Sequence, residues 1–207
     1  MALDQEKMRG LMQEILQDEF MDLDVESYSV DEKFQEQKCR IRCQMTIGDD
    51  DNGRMEVSGE GVGTIDALFS ALRAELAEDY PSLKSISFSE FTIRGLLSSE
   101  GDRASTKAEA EATVGIVNSE GREFVFQTKE QSVSRAGIRA TVQAAEYFVN
   151  SERTYVKLHE ILEHYRSEGR TDLVEKYTDL MSQVVQNTSY SEVVERIQQS
   201  MNENSGE

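Results

Sequence analysis

The sequence predicts an α+β fold in which two tandem β-β-β-α units pack together between an N-terminal helix and a C-terminal helical extension. Two observations predict it: apolar residues switch between a spacing of two and a spacing of three to four, and this succession occurs twice. Each unit is too small to bury its sheet alone, so we expect a shared core. The predicted division is an N-terminal amphipathic helix at 1–22, a duplicated core at 23–150 and a helical extension with a frayed C-terminus at 151–207.

The N-terminal helix and the first unit follow from the spacing of apolar residues. Near the N-terminus these residues recur every three or four positions, as on one face of a helix. A strict alternation then indicates a half-buried strand, and the Asn52-Gly53 pair after it favours a hairpin turn. Helical spacing returns and ends before Pro81. The predicted elements are a helix over 4–20, strands over 25–34, 38–47 and 54–59, and a helix over 65–76.

The second unit repeats this order. The alternation at 107–116 matches the one at 38–47 with a shift of 69 residues, and the helical pattern over 133–144 matches the first with a shift of 68. The slip of one residue indicates a bulge or a different turn in one copy. A further strand is predicted over 84–97, ahead of the alternating strand as in the first copy.

The two cysteines fall within the first alternating strand. Cys39 and Cys43 share a strand face but would lie about 13 Å apart at 3.3 Å per residue, which excludes a mutual disulfide. Their partners under the repeat are Ala108 and Ala112. This correspondence indicates small residues of the core.

The C-terminal part is helical and polar. Its amphipathic stretches are too narrow to be stable alone, so they must pack on the core, on each other or on a second copy of the chain. Gly169 separates the first from the second. The three stretches cover 155–165, 173–184 and 193–201.

Composition limits the possible partners. With 22 Lys and Arg against 40 Asp and Glu, the net charge is −18, which would repel nucleic acid and anionic membranes. No apolar run approaches the roughly 18 residues that span a bilayer, and the N-terminus lacks the features of a secretory signal. We therefore expect a cytoplasmic protein that binds neither nucleic acid nor membranes.

A glycine-rich segment before the first-unit helix is the strongest local feature. Residues 59–64 read Gly-Glu-Gly-Val-Gly-Thr, which differs from the dinucleotide fingerprint G-x-G-x-x-G at its last position, Thr64. One alternative is a tight turn into the helix, with Thr64 as its N-cap. Another is that the bare backbone lets a small ligand approach, with its carboxylate on the free N–H groups of the helix start.

The sequence offers little support for catalysis or metal binding. His159 and His164 are five residues apart, which places them roughly 140° apart around a helix and prevents a shared ion. The acidic stretch at 49–53 with Glu60 lacks the ligand and the glycine that a calcium loop needs after its third position. No G-x-S-x-G motif occurs. We expect no catalytic residue, metal or cofactor.

The residues at 61–68 and the alternating strand at 107–117 resemble the C-terminal regulatory (allosteric, dimerisation) domain of 2-isopropylmalate and citramalate synthases. The G-N-G-P-V-D-A-type junction of that family is similar to the segment starting at Gly61, although Thr64 replaces its proline. The segments at 90–96 and 132–134 also resemble the family. The resemblance covers about residues 25–150 and leaves the flanking helices outside.

The resemblance implies a non-catalytic homodimer of leucine biosynthesis that binds leucine or isoleucine between its units. The family's catalytic barrel is not in this sequence, so the module would act either through its homodimer or on a separately encoded acyl-transferring synthase as a partner, unless the fold has acquired another binding role. The alternative is an oligomerisation or protein-interaction module with a degenerate pocket, favoured by Thr64 and by the missing aspartate after Ser134. The implied ligand-binding residues are Gly61, Gly63, Thr64, Ile65, Asp66, Ile93, Leu96, Ala108 and Ala110.

Overall fold

The computed structural model describes residues 2–48, 53–96 and 109–188, and it confirms the predicted α+β fold with two β-β-β-α units. A 3-10 turn, Gln17–Glu19, follows the first helix, and Pro81 begins a second, Pro81–Lys84. The main elements are α1 Ala2–Leu16, β1 Leu23–Lys33, β2 Lys38–Ile47, β3 Arg54–Gly61, α2 Thr64–Leu76, β4 Ser87–Leu96, β5 Glu109–Val117, β6 Glu123–Glu130, α3 Val133–Ser167 and α4 Thr171–Thr188.

Each unit is a three-stranded antiparallel sheet covered by one helix. The first sheet has the order β1-β2-β3 and the second the order β4-β5-β6. The alternation in β2 puts its small and apolar side chains on the face that α2 covers, whereas the residues between them are mostly exposed. In the second unit α3 covers β5 and β6, and α2 packs against α3. The two units therefore share one core, as predicted.

A β-bulge occurs at the same place in both copies, between Val25 and Ser27 in β1 and between Phe88 and Glu90 in β4. Of the two predicted causes of the one-residue slip, a bulge in one copy is therefore excluded, and a different turn remains. The hairpin turn does differ between the copies, because the second hairpin, at 118–122, is shorter than the first, at 48–53.

Strand pairing also changes both predicted correspondences of the cysteines. Cys39 lies opposite Gly61, two residues before the N-cap of α2, and Ala110 lies opposite Glu130, two residues before the N-cap of α3. Ala110 is therefore the counterpart of Cys39, in place of the predicted Ala108, and by the same register Val114 is the counterpart of Cys43, in place of the predicted Ala112. The difference arises because the shorter second hairpin shifts the central strand against the rest of the unit.

The long helix α3 runs without a break across the predicted boundary between residues 150 and 151. It ends before Gly169, whose φ of +69° is the left-handed conformation that favours glycine, so the predicted break there is confirmed. The helices α1 and α4 both pack against α3. The third C-terminal stretch at 193–201 and the end at 202–207 lie outside the described residues, as does most of the acidic stretch at 49–53.

None of the helices in the described ranges has the length and apolarity needed to cross a membrane.

Candidate ligand site between the two units

The predicted ligand site begins at the connection between β3 and α2, residues 61–66, which we call the first junction. Gly63, not Thr64, is the N-cap of α2: its φ of −159° and ψ of 172° are extended, and its carbonyl accepts a hydrogen bond from the Ala67 N–H at 2.9 Å. The expected capping role of Thr64 is therefore wrong. Thr64 is the first helical residue, and its hydroxyl lies 3.7 Å from the Cys39 thiol.

Gly61 allows the end of β3 to approach α2 closely. A Cβ on Gly61 would lie 2.6 Å from the Ala67 nitrogen and would also overlap the Asp66 carboxylate. A Cβ on Gly63 would meet nothing within 4 Å. Close packing thus requires the first of these glycines, whereas the second faces open space.

The first junction carries its own anion. Asp66, in the first turn of α2, accepts a hydrogen bond from the Val62 N–H at 3.0 Å. A carboxylate at this position is favourable because the N-terminus of a helix carries a partial positive charge. It also occupies one of the N–H groups that a ligand carboxylate would use, and it would repel such a ligand.

The structure brings one predicted residue of the first junction to the second unit. Ile65 reaches Gly137 on α3, because a Cβ there would lie 2.8 Å from the Ile65 Cδ1 and 3.4 Å from the Phe91 ring. Ile93 follows two residues after Phe91 on the same face of β4. The first junction and β4 therefore approach each other over a glycine of α3.

The other predicted residues lie along the second sheet. Ile93 is half-buried opposite Ala112, and Ala110 is buried opposite Gly95. Leu96 ends β4 opposite Glu109. Ala108 lies outside the described residues.

A cavity of about 400 Å³ lies at the other meeting point of the two units and contains none of the predicted residues. It is bounded by β1 at its bulge, the end of β6 and the first two turns of α3. Its volume is within the roughly 300–1,000 Å³ of ordinary small-molecule sites. The lining residues are Val25, Glu26, Ser27, Tyr28, Glu130, Arg135, Ile138 and Arg139.

Two guanidinium groups and two carboxylates, those of Glu26 and Glu130, line this cavity. Arg139 donates to the Asp24 carboxylate at 2.9 Å, which ties α3 to β1, and its Nε lies 3.8 Å from Glu130. Arg135 forms a longer ion pair, with its Nε 4.0 Å from the Glu130 carboxylate, and its side chain is mostly exposed. The Arg135 guanidinium can therefore reach a ligand without breaking a short ion pair.

The β6–α3 connection, residues 130–135, is the second junction, and it is the counterpart of the first. Ser132 caps α3 as Gly63 caps α2, and its hydroxyl accepts a hydrogen bond from the Arg135 N–H at 3.5 Å. Counting from the two caps, Arg135 stands where Asp66 stands in the first unit. At this one position the first unit has an anion and the second a cation.

The same correspondence accounts for the space at the second meeting point. At the first, the rings of Phe69 and Phe88 meet edge to face with centroids 4.6 Å apart. Their counterparts beside the cavity are Ile138 and Val25, which are smaller. Aliphatic side chains leave the space that two aromatic rings fill in the other copy.

The lining of this cavity was not predicted from the sequence. The helix repeat at a shift of 68 pairs Asp66 with Ser134, and this correspondence is wrong: the N-caps at Gly63 and Ser132 give a shift of 69, which pairs Asp66 with Arg135. A signal in the sequence was that Arg135 and Arg139 are one helical turn apart, so they share a helix face in a chain dominated by acidic residues.

The described residues offer no group of three or more His, Cys, Asp or Glu side chains that could hold a metal ion. Cys39 and Cys43 are buried and free, as expected for core residues. Burial raises the pKa of the Cys43 thiol to about 11, which makes it a poor nucleophile at neutral pH.

Two antiparallel β-β-β-α units with one core and a cavity where they meet define a duplicated α+β domain. The chain belongs to the family of the LeuA allosteric (dimerisation) domain, whose sequence model matches residues 2–149. The match confirms the resemblance and corrects its extent, because it includes α1. No curated protein matches the chain.

Proposed function

We propose that this chain is a non-catalytic regulatory module that forms a homodimer and binds a branched-chain amino acid, leucine or isoleucine, between its two units. Its membership of an allosteric dimerisation family supports a regulatory role. The duplicated fold supports a ligand between the units, because both junctions lie where one unit meets the other.

The observation that carries the dimer is an uncovered apolar face on both edge strands. Tyr28 and Val30 of β1 lie opposite core residues of β2, yet both remain more than a third exposed. In the second unit, Phe91 and Ile93 occupy the equivalent places on β4, where Phe91 is 43% exposed. An edge strand with an apolar inner face is a ready site for pairing with another chain.

Charge substitution on β1 tests the homodimer. We expect Val30→Lys to convert a dimer into a monomer in sedimentation velocity, because a lysine on this face would be desolvated in the interface. Val125→Lys is the matched control: Val125 lies on the outer face of the edge strand β6 and is 39% exposed, against 38% for Val30. Loss of the dimer in Val125→Lys with retention in Val30→Lys would contradict the proposed face.

A thermal-shift panel of the twenty amino acids tests ligand binding. A ligand at 100 times its dissociation constant stabilises the folded state by about 2.7 kcal/mol, which raises the midpoint by several degrees. We expect leucine or isoleucine to give the largest shift. The implied residues of the first junction, together with Ile93, Leu96, Ala108 and Ala110, remain the predicted site for this ligand.

A second candidate function is an interaction module whose first junction no longer binds a ligand. The bond from the Val62 N–H to Asp66 and the close packing at Gly61 favour it, since both use space or donors that a ligand would need. The partner would then be a second copy or a separately encoded acyl-transferring synthase. A flat response across the amino-acid panel, with the dimer intact, would favour this candidate.

A further inference from the structure

The outer edge of the second sheet presents backbone groups to the N-terminal helix. β6 is the last strand in the order β4-β5-β6, and its Val125 N–H points away from β5 and donates to the side-chain oxygen of Gln5 on α1 at 3.1 Å. Hydrogen-bonding direction alternates along an antiparallel strand, so the backbone groups of Glu123 and Gln127 point to the same side. The Gln5 oxygen thus occupies the place that the backbone carbonyl of a further strand would take.

A groove of about 300 Å³ lies along this edge, between β6 and the helices α1 and α3, and we call it the edge groove. It shares no residue with the cavity at the second junction. The carboxylates of Glu6 and Glu146 line it. Aromatic and aliphatic side chains form the rest of its wall together with polar amides; the apolar ones are Met12, Phe20, Val125, Phe126 and Tyr147.

α1 itself places a cation in the edge groove. The Arg9 guanidinium lies over the Phe20 ring, 5.8 Å from its centroid, and both residues line the groove. A cation over an aromatic face is favourable, and more so where water is excluded. Gln5 and Arg9 are one helical turn apart, so α1 supplies both a strand-like carbonyl and an aromatic-bound cation. These are the two contacts that an extended basic segment would make here.

The charges of the chain favour a basic partner for this groove over a second copy. Two carboxylates, Glu6 and Glu146, face a single guanidinium, Arg9, among the charged groups that line it. The chain as a whole carries −18, which attracts basic segments and repels another copy.

We propose that the edge groove is a docking site for an extended, basic segment of a partner protein, which adds to β6 as a further strand and places a lysine or arginine side chain in the groove against Glu6 and Glu146. The Gln5 side chain turns away, and a backbone carbonyl of the partner accepts from the Val125 N–H. In this mode of recognition the backbone bonds give affinity and the side-chain pocket gives specificity. The inference goes beyond the proposed function, because it uses neither junction and neither of the strands β1 and β4.

Fluorescence anisotropy of the full chain with a labelled peptide tests the docking site. The probe is the heptapeptide amide Lys-Val-Arg-Val-Lys-Val-Arg, and two comparison peptides accompany it. One is methylated on every backbone nitrogen, which keeps the charge but prevents strand pairing, and the other has glutamate at each basic position. We expect the probe to bind and both comparison peptides to bind about tenfold more weakly or not at all.

Variants at the edge and in the groove locate the binding. Val125→Pro removes the outward N–H without removing a bond to β5, and proline is tolerated on an edge strand, so we expect about tenfold weaker binding. Glu6→Gln should weaken binding about threefold, as for an exposed ion pair. Glu14→Gln removes the same charge from an exposed position of α1 outside the groove and should leave binding unchanged.

The pH dependence of binding gives an independent readout. Burial and the charge of Asp22 raise the pKa of Glu146 to about 7, whereas Arg9 opposes the shift. Of the other titratable groups in the groove, Glu6 lies on α1 and Tyr147 stays neutral because burial raises its pKa. A bound cation favours the ionised Glu146 carboxylate, so binding should tighten from pH 6 to pH 8, and Glu146→Gln should remove this dependence.

The contradicting outcomes are specific. Equal binding of the methylated peptide, or equal loss in Glu6→Gln and Glu14→Gln, would show only a general attraction between opposite charges and would overturn the docking site. Absence of binding by the probe would overturn it as well. Loss of the dimer in Val125→Pro would assign the β6 edge to a second copy instead. None of these results affects the amino-acid panel, which tests the proposed function separately.

Discussion

Two glycines at the first junction, two residues apart, differ in what surrounds them. Gly61→Ala would force a methyl group to 2.6 Å from the Ala67 nitrogen and against Asp66, so β3 and α2 would have to separate. We expect it to lower the free energy of unfolding by about 1–3 kcal/mol, the usual cost of overpacking. Urea denaturation measures the change.

Gly63→Ala is the matched control for this substitution. Its φ of −159° is open to any residue and its Cβ would meet nothing, so we expect only the cost of a poorer N-cap, below about 1 kcal/mol. If both variants lost the same free energy of unfolding, backbone conformation rather than packing would be the reason that this segment excludes a side chain.

Alternation of apolar residues alone is enough to predict a strand at the residue level. The strand predicted over 38–47 has those bounds in the structure, because every second residue from Cys39 onward faces the core. The N-cap at Gly63 could not be read in the same way. Both Gly63 and Thr64 are acceptable caps by composition, and only the backbone geometry separates them.

At the scale of elements, α3 is held by polar side chains that are buried in its middle. Asn150 accepts from the Met21 N–H and donates to the Met21 carbonyl, each at 2.7 Å, and Glu146 accepts from the Leu23 N–H at 2.5 Å. Glu152 accepts from the Ser82 N–H at 2.9 Å. These bonds satisfy backbone groups of the connections before β1 and before β4.

This arrangement explains why the sequence suggested a boundary near residue 150. A polar stretch after an apolar one indicates the end of a core element, and nothing local reveals that distant backbone groups need those polar side chains. The continuation of α3 is a tertiary effect, decided by Met21, Leu23 and Ser82.

Glu146 gives this helix a pH dependence. Its burial, reinforced by the charge of Asp22, raises the pKa of its carboxyl from 4.5 to about 7, although the Leu23 N–H opposes the shift. Between those pH values the folded state holds a proton that the unfolded state has lost. The stabilisation is therefore complete below pH 4.5 and disappears as pH rises through 7, a loss of roughly 3 kcal/mol.

Urea denaturation from pH 5 to pH 8 measures this effect. We expect the free energy of unfolding of the unmodified chain to fall over this range. Glu146→Gln should abolish the part of this fall that comes from Glu146, because glutamine does not titrate. Glu75→Gln, an exposed change of the same charge on α2, should keep the decline. The lowered pKa values of Glu60 and Asp172, caused by their hydrogen bonds to Arg40 and Arg170, affect stability only below this range. Parallel slopes for Glu146→Gln and the unmodified chain would contradict the assignment.

For the molecule as a whole, the duplication was readable from sequence, but the consequences of its divergence were not. The repeat predicted two sheets and two helices in the right order. Two contrasts depend on which residues become equivalent. One is the charge contrast between Asp66 and Arg135. The other is between two aromatic rings in one copy and two aliphatic side chains in the other, namely Phe69 and Phe88 against Ile138 and Val25. That equivalence was fixed only once the strand register was known.

The net charge makes a prediction about the assembled protein. Each chain carries −18 at neutral pH, so two copies repel each other over the Debye length, which falls from about 30 Å at 0.01 M salt to about 3 Å at 1 M. An interface made of the apolar faces of β1 and β4 gains no attraction from ion pairs to offset this repulsion. We therefore expect the dimer to tighten several-fold between 10 mM and 500 mM sodium chloride, measured by sedimentation equilibrium, with the same trend in Val125→Lys. A dimer that weakens with salt would require ion pairs across its interface and would contradict the apolar contact at Tyr28 and Val30.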